Sequence, residues 1–230
     1  MIYDQIKQGK TNPDMLSRLY LYWQERNIEG TVSKDAGVTS LSDGILALRT
    51  KGVCKESLWP YDIGTFTNTP TATMNDDAAK CKDLDTDTGS VDQDLTTMKT
   101  LLNARMPIIG GISVYESFES PAVENTGFVP MPDTNTENFL GGHAIVFSGY
   151  DDSKNAFFMR NSWGTSWGTN FNGTSGTKGY FWLPYTYATD PSLAFSFWKI
   201  GTVNNADNSA NNVVSSPCRV KLIASLSRKK

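Results

Sequence analysis

Two apolar segments joined by a short hairpin constrain the fold of this chain more than any other feature. The first segment starts at the only histidine, His143, directly after Gly141 and Gly142. The second segment ends at the sequence NSWG, residues 161–164. Short apolar runs bounded by glycine and turn residues are typical of buried strands. The pattern therefore predicts two successive strands, with a histidine at the start of one and an asparagine at the end of the other.

This pair of residues has the chemistry of a general base and the group that orients it. A histidine acts as a base when a second group fixes its tautomer and ring plane, and an asparagine carbonyl does this without adding a charge. We therefore expect His143 and Asn161 to form a catalytic pair. Gly141 and Gly142 would let a substrate backbone approach closely, and Trp163 is expected to shield the His143–Asn161 hydrogen bond from water.

The hydrophobic pattern changes from helical to strand-like near Pro107. Before it, apolar residues recur at helical spacing in three segments, residues 12–23, 40–52 and 92–105, of which the first is expected to start at an asparagine cap followed by proline. Helices followed by strands indicate an α+β protein of two lobes. The strands after Pro107 are predicted at residues 108–115, 143–150, 157–161 and 179–183.

The segments around His143 and Asn161 resemble the papain-like cysteine peptidases, whose catalytic set is a thiolate, a histidine and an asparagine. Other blocks are similar to a short, cysteine-poor branch of this group found in microbes and large viruses. The resemblance implies a papain-like two-lobed fold, with a helical lobe and an antiparallel, β-barrel-like lobe. The blocks lie at residues 17–23, 25–31, 59–62, 114–118 and 149–152.

The resemblance also divides the chain into a domain and a tail. Residues 1–200 are expected to form the peptidase domain, with residues 1–61 a remnant of the helical lobe that lacks most of its central helix, and residues 62–200 mainly the β lobe. Residues 201–230 are rich in Asn and Ser and end in a basic segment. Such a composition has too few large apolar groups to offset the entropy of ordering, so we expect a disordered tail.

The nucleophile that the resemblance requires is not found at its expected place. In papain-type enzymes the histidine and asparagine follow the cysteine by about 130 to 150 residues, which puts the cysteine between about position −7 and position 13. The three cysteines are Cys54, Cys81 and Cys218. We therefore expect the chain to begin just after its nucleophile and after the glutamine of the oxyanion hole. Its first nine residues are similar to the end of the helix that carries the cysteine.

Three hypotheses about function follow. The chain is the C-terminal part of a cysteine peptidase, inactive as written because its upstream part was cut off. Alternatively, it is a pseudoenzyme without a nucleophile that binds peptides or protein partners through the remaining groove. The third hypothesis is an acyl transferase of the Cys-His-Asp/Asn kind that uses Cys81, whose two neighbouring lysines could lower the pKa of its thiol. Cys54 is most simply a small buried apolar residue.

The resemblance further implies where a substrate would lie. Gly111 and Ala144 would line the pocket for the side chain two residues before the scissile bond, and Trp163 would form the wall on the other side of that bond. Gly141 would support the substrate backbone. Small residues at these positions imply a roomy pocket. The implied partner is a peptide or protein in an extended conformation, and the family chemistry needs neither a cofactor nor a metal.

The composition excludes some classes of function. The net charge is −3, and charges of both signs are interspersed, which argues against nucleic acid as a partner. The sequence contains no apolar run near the roughly 18 residues of a membrane span. The first residues lack a signal-peptide pattern. An odd number of cysteines suggests free thiols in a reducing compartment, which slightly favours the cytoplasm. The oligomeric state is not predicted.

Overall fold

The computed structural model describes residues 15–35, 37, 40–82, 88–171 and 178–201. The described residues belong to two compact units, the first ending at Gly89 and the second comprising Ser90–Lys199, with residues 200 and 201 counted in the first. Several predictions lie outside the described residues: the helix end at residues 1–9, the cap at residues 12–13, Cys218, and the tail from residue 202 onwards.

Helix α1 of the first unit, Arg18–Glu29, starts at Ser17, whose hydroxyl accepts a hydrogen bond from the main chain of Tyr20. Residues 15 and 16 were expected to be helical, but they precede the helix because Leu16 pairs with Lys55 in an isolated β-bridge. The helix ends at a glycine in the left-handed conformation, as helices commonly do.

Helix α2, Leu41–Thr50, is capped by Ser40, the first residue of the helical segment predicted at residues 40–52. Beyond it, Gly52 has a φ of +76°, and a side chain there would collide with the carbonyl oxygen of Ala78, 2.0 Å from a Cβ position. The end of α2 is thus pressed against a third helix, α3, Ala72–Ala78, which was not predicted. The apolar core of the first unit includes Leu19, Tyr20, Ile45, Ala47, Leu48, Val53 and Cys54.

Arg26 is fully buried in the first unit, although it carries a charge. Its guanidinium donates hydrogen bonds to the carbonyls of Val32 at 2.7 Å, Lys34 at 3.2 Å and Phe66 at 2.5 Å. The guanidinium carbon also lies 4.1 Å from the centre of the Tyr22 ring. A single side chain of α1 therefore fastens two separate loops to the helix.

Glu25, the neighbour of Arg26 on α1, is also buried. Burial, together with the nearby carboxylates of Glu29 and Asp43, raises its pKa to about 8, and Arg26 opposes this shift. The side chain therefore holds a proton near neutral pH in the folded state.

The second unit contains a six-stranded sheet in the order β1-β6-β2-β3-β4-β5. The pairs from β6 to β5 are antiparallel. All four predicted strands are found, and the α+β class is confirmed; β3 starts four residues before the predicted His143. The strands are β1 (Gly89–Ser90), β2 (Ile108–Tyr115), β3 (Phe139–Asp151), β4 (Ala156–Arg160), β5 (Tyr180–Pro184) and β6 (Ala194–Lys199).

Four further helical segments accompany the sheet. Helix α4, Leu95–Asn103, is the predicted third helix and starts at Asp94, whose carboxylate accepts from two main-chain N–H groups. The 3-10 helix Glu116–Glu119 and helices α5, Pro121–Thr126, and α6, Tyr185–Thr189, were not predicted. The sheet covers an apolar core that includes Ile108, Ile112, Phe118, Phe147, Phe157, Met159, Phe181 and Leu183.

Candidate active site

The strand register brings the two predicted catalytic residues together. His143 pairs with the buried Ile112 across β3 and β2. Asn161 directly follows β4, the strand on the other side of β3, and its main-chain N–H donates to the carbonyl of Gly179 at 2.9 Å. Both side chains are enclosed, with exposed fractions of 2% for His143 and 9% for Asn161. Three neighbouring segments of the sheet therefore hold the pair.

The hydrogen bond between the two side chains fixes the tautomer of the histidine. His143 Nε2 lies 2.9 Å from Asn161 Oδ1. The same oxygen accepts from the main-chain N–H of Ser162 at 2.8 Å, which identifies it as the carbonyl oxygen of the amide. A carbonyl oxygen only accepts, so Nε2 carries the proton in the neutral ring. The lone pair of the imidazole therefore lies on Nδ1.

This lone pair is buried and has no partner in the described part of the chain. Neither His143 Nδ1 nor Asn161 Nδ2 has a hydrogen-bond partner there. Buried polar atoms are nearly always paired, so an unpaired nitrogen calls for an explanation, of which a catalytic role is one. Burial lowers the pKa of His143, and the hydrogen bond to Asn161 offsets only part of that shift. The ring is therefore neutral at pH 7 and able to accept a proton at Nδ1.

Aromatic rings enclose the imidazole on two sides. The Trp163 ring is stacked on His143, with ring centres 5.1 Å apart and an angle of 28° between the planes. Phe118 meets the imidazole edge-on at 6.3 Å and also contacts Trp163 and Trp167. The structure thus places Trp163 where the sequence suggested a shield. Phe118 was missed as a site residue because it reaches the imidazole from a short 3-10 helix.

The residues expected to line a substrate groove lie beside His143. Gly111 of β2 pairs with Ala144 of β3, and Gly142 is exposed. Gly141 has a φ of +141°, a conformation that favours glycine. The space over Gly111 is occupied, however, by the ring of Phe195. The prediction of a roomy pocket is therefore wrong at this position, because β6 was not predicted and its side chains could not be placed.

Neither of the two cysteines in the described residues has the properties of an activated nucleophile. Cys54 is a free thiol with no exposed surface. Burial and the nearby carboxylate of Asp77 raise its pKa to about 12, so the thiol stays protonated at neutral pH. Cys81 is buried and disulfide-bonded. Both belong to the first unit, whereas His143 and Asn161 belong to the second.

Two further properties bear on possible ligands. Within the described residues, no three side chains of His, Cys, Asp or Glu lie close enough together to hold a metal ion. None of the described helices is long and apolar enough to cross a membrane.

The sheet holds a buried histidine that is oriented by an asparagine, and a histidine in this arrangement is able to take a proton from a neighbouring group. A model of the papain family cysteine proteases matches residues 39–184. The chain belongs to this family.

Individual relatives support the same assignment. The chain is 35% identical over 210 residues to an uncharacterized peptidase C1-like protein of Acanthamoeba polyphaga mimivirus. That match covers 88% of this chain but 64% of the viral protein, so the chain spans less than two thirds of the length of this relative.

Solved structures share the fold. Xylellain, a cysteine protease from Xylella fastidiosa, is similar with a TM-score of 0.72 and 34% identity, over 86% of this chain and 74% of that one. The cysteine protease and lectin-like domains of a surface layer associated protein of Clostridium difficile are similar with a TM-score of 0.55 and 18% identity, over 88% of this chain and 45% of that one. At 18% identity, the second likeness concerns the fold alone. The papain-like fold expected from the motifs is confirmed.

Proposed function

We propose that this chain is the part of a papain-family cysteine peptidase that contributes the base and its orienting residue. The observation that carries the proposal is the buried His143, whose Nε2 is held by Asn161 while Nδ1 keeps an unpaired lone pair. The nucleophilic cysteine and the oxyanion-hole glutamine are assigned to sequence upstream of Met1. The substrates are peptides or proteins in an extended conformation, and the reaction is hydrolysis of a peptide bond.

The proposed chemistry uses the two ring nitrogens in different ways. His143 Nδ1 takes the proton of the cysteine thiol, and the thiolate attacks the scissile carbonyl carbon. The proton then passes from Nδ1 to the nitrogen of the leaving amine, and water later hydrolyses the thioester. While the imidazole is charged, Asn161 Oδ1 stabilises it through Nε2–H. Trp163 keeps water away from this hydrogen bond, because a water molecule there would compete with Asn161 Oδ1 for the proton on Nε2.

The states of the cysteines support placing the nucleophile upstream. Cys54 stays protonated because it is buried. Cys81 offers no thiolate while it is disulfide-bonded. Neither observation favours the acyl transferase hypothesis, which needs a reactive Cys81.

Restoring an upstream segment tests the proposal directly. The 230-residue chain should hydrolyse peptides at background level. Joined to a segment that carries the glutamine and cysteine, it should become active, and His143→Ala should then lower kcat/KM by roughly 10³-fold or more, because the base acts as part of a unit. Asn161→Ala should cost less, and the exposed Asn135→Ala is the matched control, expected to leave kcat/KM unchanged. Activity that is indifferent to His143→Ala contradicts the proposal.

A second candidate function is a pseudoenzyme that binds extended peptides. It is favoured by the exposed apolar side chains of Phe139 and Leu140, which precede the Gly141-Gly142 pair and would give a peptide apolar contacts without any reaction. Binding of peptides by the 230-residue chain, together with continued inactivity after the upstream segment is joined, would favour this candidate over the peptidase.

A further inference from the structure

The short 3-10 helix that carries Phe118 has no cap of its own. The residue before it, Tyr115, makes no side-chain hydrogen bond to the start of the helix. The main-chain N–H of Ser117 donates instead to the Glu137 carboxylate, with 2.7 Å between the nitrogen and Oε2. Glu137 lies just before β3, the strand that carries His143. A carboxylate 20 residues further along the chain therefore holds the start of this helix.

A second carboxylate joins the same two segments in the opposite direction. Glu116, the first residue of the 3-10 helix, accepts from the main-chain N–H of Asn138 at 3.1 Å and from its side-chain amide at 2.9 Å. The other carboxylate oxygen of Glu137 accepts from the main-chain N–H of Asp133 at 2.9 Å. Glu116 and Glu137 together form a carboxylate clamp between the 3-10 helix and the segment that leads into β3.

Both members of the carboxylate clamp are charged at neutral pH. Hydrogen bonds from Ser117 lower the pKa of Glu137, and those from Asn138 lower the pKa of Glu116. Hydrogen bonds to a charged acceptor are stronger than those between neutral groups. The bond between Glu137 and Ser117 is partly buried, whereas the bonds of Glu116 are exposed to competing water. Glu137 should therefore be the stronger half of the clamp.

The clamp holds the main chain beside the ring that closes the candidate site. Phe118 directly follows Ser117 and is 1% exposed. Its ring meets the imidazole of His143 at 6.3 Å and stands at 90° to the Trp163 ring at 5.5 Å. A 3-10 helix of four residues has few internal hydrogen bonds, so its position depends on bonds to the rest of the molecule. The clamp supplies such bonds.

We propose that Glu116 and Glu137 are positioning residues that keep Phe118 against His143 and thereby keep water away from the base. This role rests on the proposed function, in which His143 takes the proton of the nucleophile. Without the clamp, the helix would move outward and water would reach the imidazole. Water stabilises the charged imidazolium, so the pKa of His143, which burial lowers, would rise.

An NMR titration of the His143 ring in the 230-residue chain tests the role without any need for hydrolysis. Glu137→Ala should raise the pKa of His143 toward 6.5 and speed the exchange of its Nε2–H with water. Glu116→Ala should raise this pKa less. Glu137→Gln keeps one acceptor oxygen, so its effect should lie between those of the unchanged chain and Glu137→Ala. The matched control, Glu119→Ala on the same 3-10 helix, should leave the pKa unchanged.

A second set of variants tests whether the clamp acts through Phe118. Phe118→Leu removes the aromatic ring but keeps an apolar side chain, which favours folding. In the Phe118→Leu chain, Glu137→Ala should raise the pKa of His143 less than it does in the unchanged chain, because residues that act through one another are not additive. An equal rise in both chains would show that Glu137 does not act through Phe118 and would overturn the inference.

Kinetics then separate the positioning role from the proposed function. Where the upstream segment confers activity, Glu137→Ala should lower kcat by up to about 100-fold with little change in KM, because the base is misplaced. If Glu137→Ala and Glu116→Ala leave the pKa and the exchange of His143 unchanged, the inference is overturned, and activity that depends on His143 keeps the proposed function standing. If the joined chain is inactive or indifferent to His143→Ala, the proposed function fails and the positioning role fails with it.

Discussion

The two units of this chain bury polar groups of different kinds. Among the Asp, Glu, Lys and Arg residues of the described chain, the buried ones are Glu25 and Arg26, and both lie in the first unit. The second unit instead buries a histidine and an asparagine that are bonded to each other. Buried charge in the first unit fastens loops to a helix, and a buried neutral pair in the second unit holds a lone pair ready for a proton. Burial of polar groups thus supports structure in the first unit, and in the second unit it produces the arrangement on which the proposed chemistry depends.

Because of this difference, the stability of the two units should change with pH in opposite directions. The pKa of Glu25 is raised from 4.5 to about 8 on folding, so the folded state binds the proton more tightly, and stability is lost as the pH rises from about 4.5 to 8. The pKa of His143 is lowered from 6.5, so the folded state binds the proton less tightly, and stability is lost as the pH falls below 6.5. The first unit should therefore lose stability as the pH rises from about 4.5 to 8, and the second should lose stability as the pH falls below 6.5.

The largest loss of stability is expected from removing a side chain that packs against the histidine in the second unit. Phe118 is 1% exposed and contacts three other aromatic rings besides the imidazole. Phe118→Ala should lower the free energy of unfolding by about 3–5 kcal/mol, since it leaves a cavity. Denaturant unfolding measures the loss, and hydrogen exchange should locate it in β2 and β3. An unchanged exchange rate in these strands would show that Phe118 is not part of the support.

A somewhat smaller effect is expected from the buried charge of the first unit. Arg26→Met should lower the free energy of unfolding by about 2–4 kcal/mol, because three main-chain carbonyls lose their donor. Hydrogen exchange should rise in α1 and in the loop around Val32, while β3 stays protected. An equal loss of protection in β3 would contradict the statement that Arg26 supports the first unit alone. Met is chosen because it keeps most of the volume of the side chain.

Glu25→Gln tests the pH dependence of the first unit. The amide needs no proton to stay neutral, so the variant should be more stable than the unchanged chain at pH 9, by on the order of 1–3 kcal/mol, and equally stable near pH 4. Unfolding is measured by denaturant between pH 4 and pH 9. The matched control is Glu119→Gln on the 3-10 helix of the second unit, which makes the same chemical change outside the first unit. If the Glu25→Gln chain still loses stability as the pH rises from about 4.5 to 8, the Glu25 carboxyl is not the cause of this pH dependence.

The smallest effect is expected at His143, because the hydrogen bond to Asn161 offsets part of the influence of burial on its pKa. The NMR titration of its ring should give a pKa below 6.5. Asn161→Ala removes the group that raises this pKa, so the pKa should fall further. His143→Gln should remove the loss of stability below pH 6.5 without changing α1. A pKa of 6.5 would mean that burial does not disfavour the imidazolium ion, and the shielding role of Trp163 would then be wrong.

Much of the sheet could be predicted from the sequence, because its strands are continuous apolar runs. The start of β3 was misplaced because Gly141 and Gly142 are poor strand residues, although here they extend the pairing with β2. Strand β6 was missed because the bulge at Ser196 interrupts its alternation. The helices that were not predicted span seven residues or fewer, too short for a helical period to emerge.

Some residues of the candidate site could likewise be predicted from the sequence, and others could not. His143, Asn161 and Trp163 could be found because their types and spacing along two adjacent strands carry the chemistry. Phe118 and Phe195 could not be found, since nothing local indicates that their rings reach the imidazole or the neighbouring glycine. Contacts between segments far apart in the chain are set by the register of the sheet, which a single sequence leaves open.

The stacking of Trp163 on His143 gives this molecule a built-in optical reporter. Protonation of the imidazole converts a contact between two neutral rings into one between a cation and an indole face. The charge state of the histidine should therefore be visible in the tryptophan emission, without a label and without any substrate. Subtracting the spectrum of a Trp163→Phe chain from that of the unchanged chain would isolate this signal from the other five tryptophans. The residue that is stacked on the imidazole would then report, in real time, when the site takes up a proton.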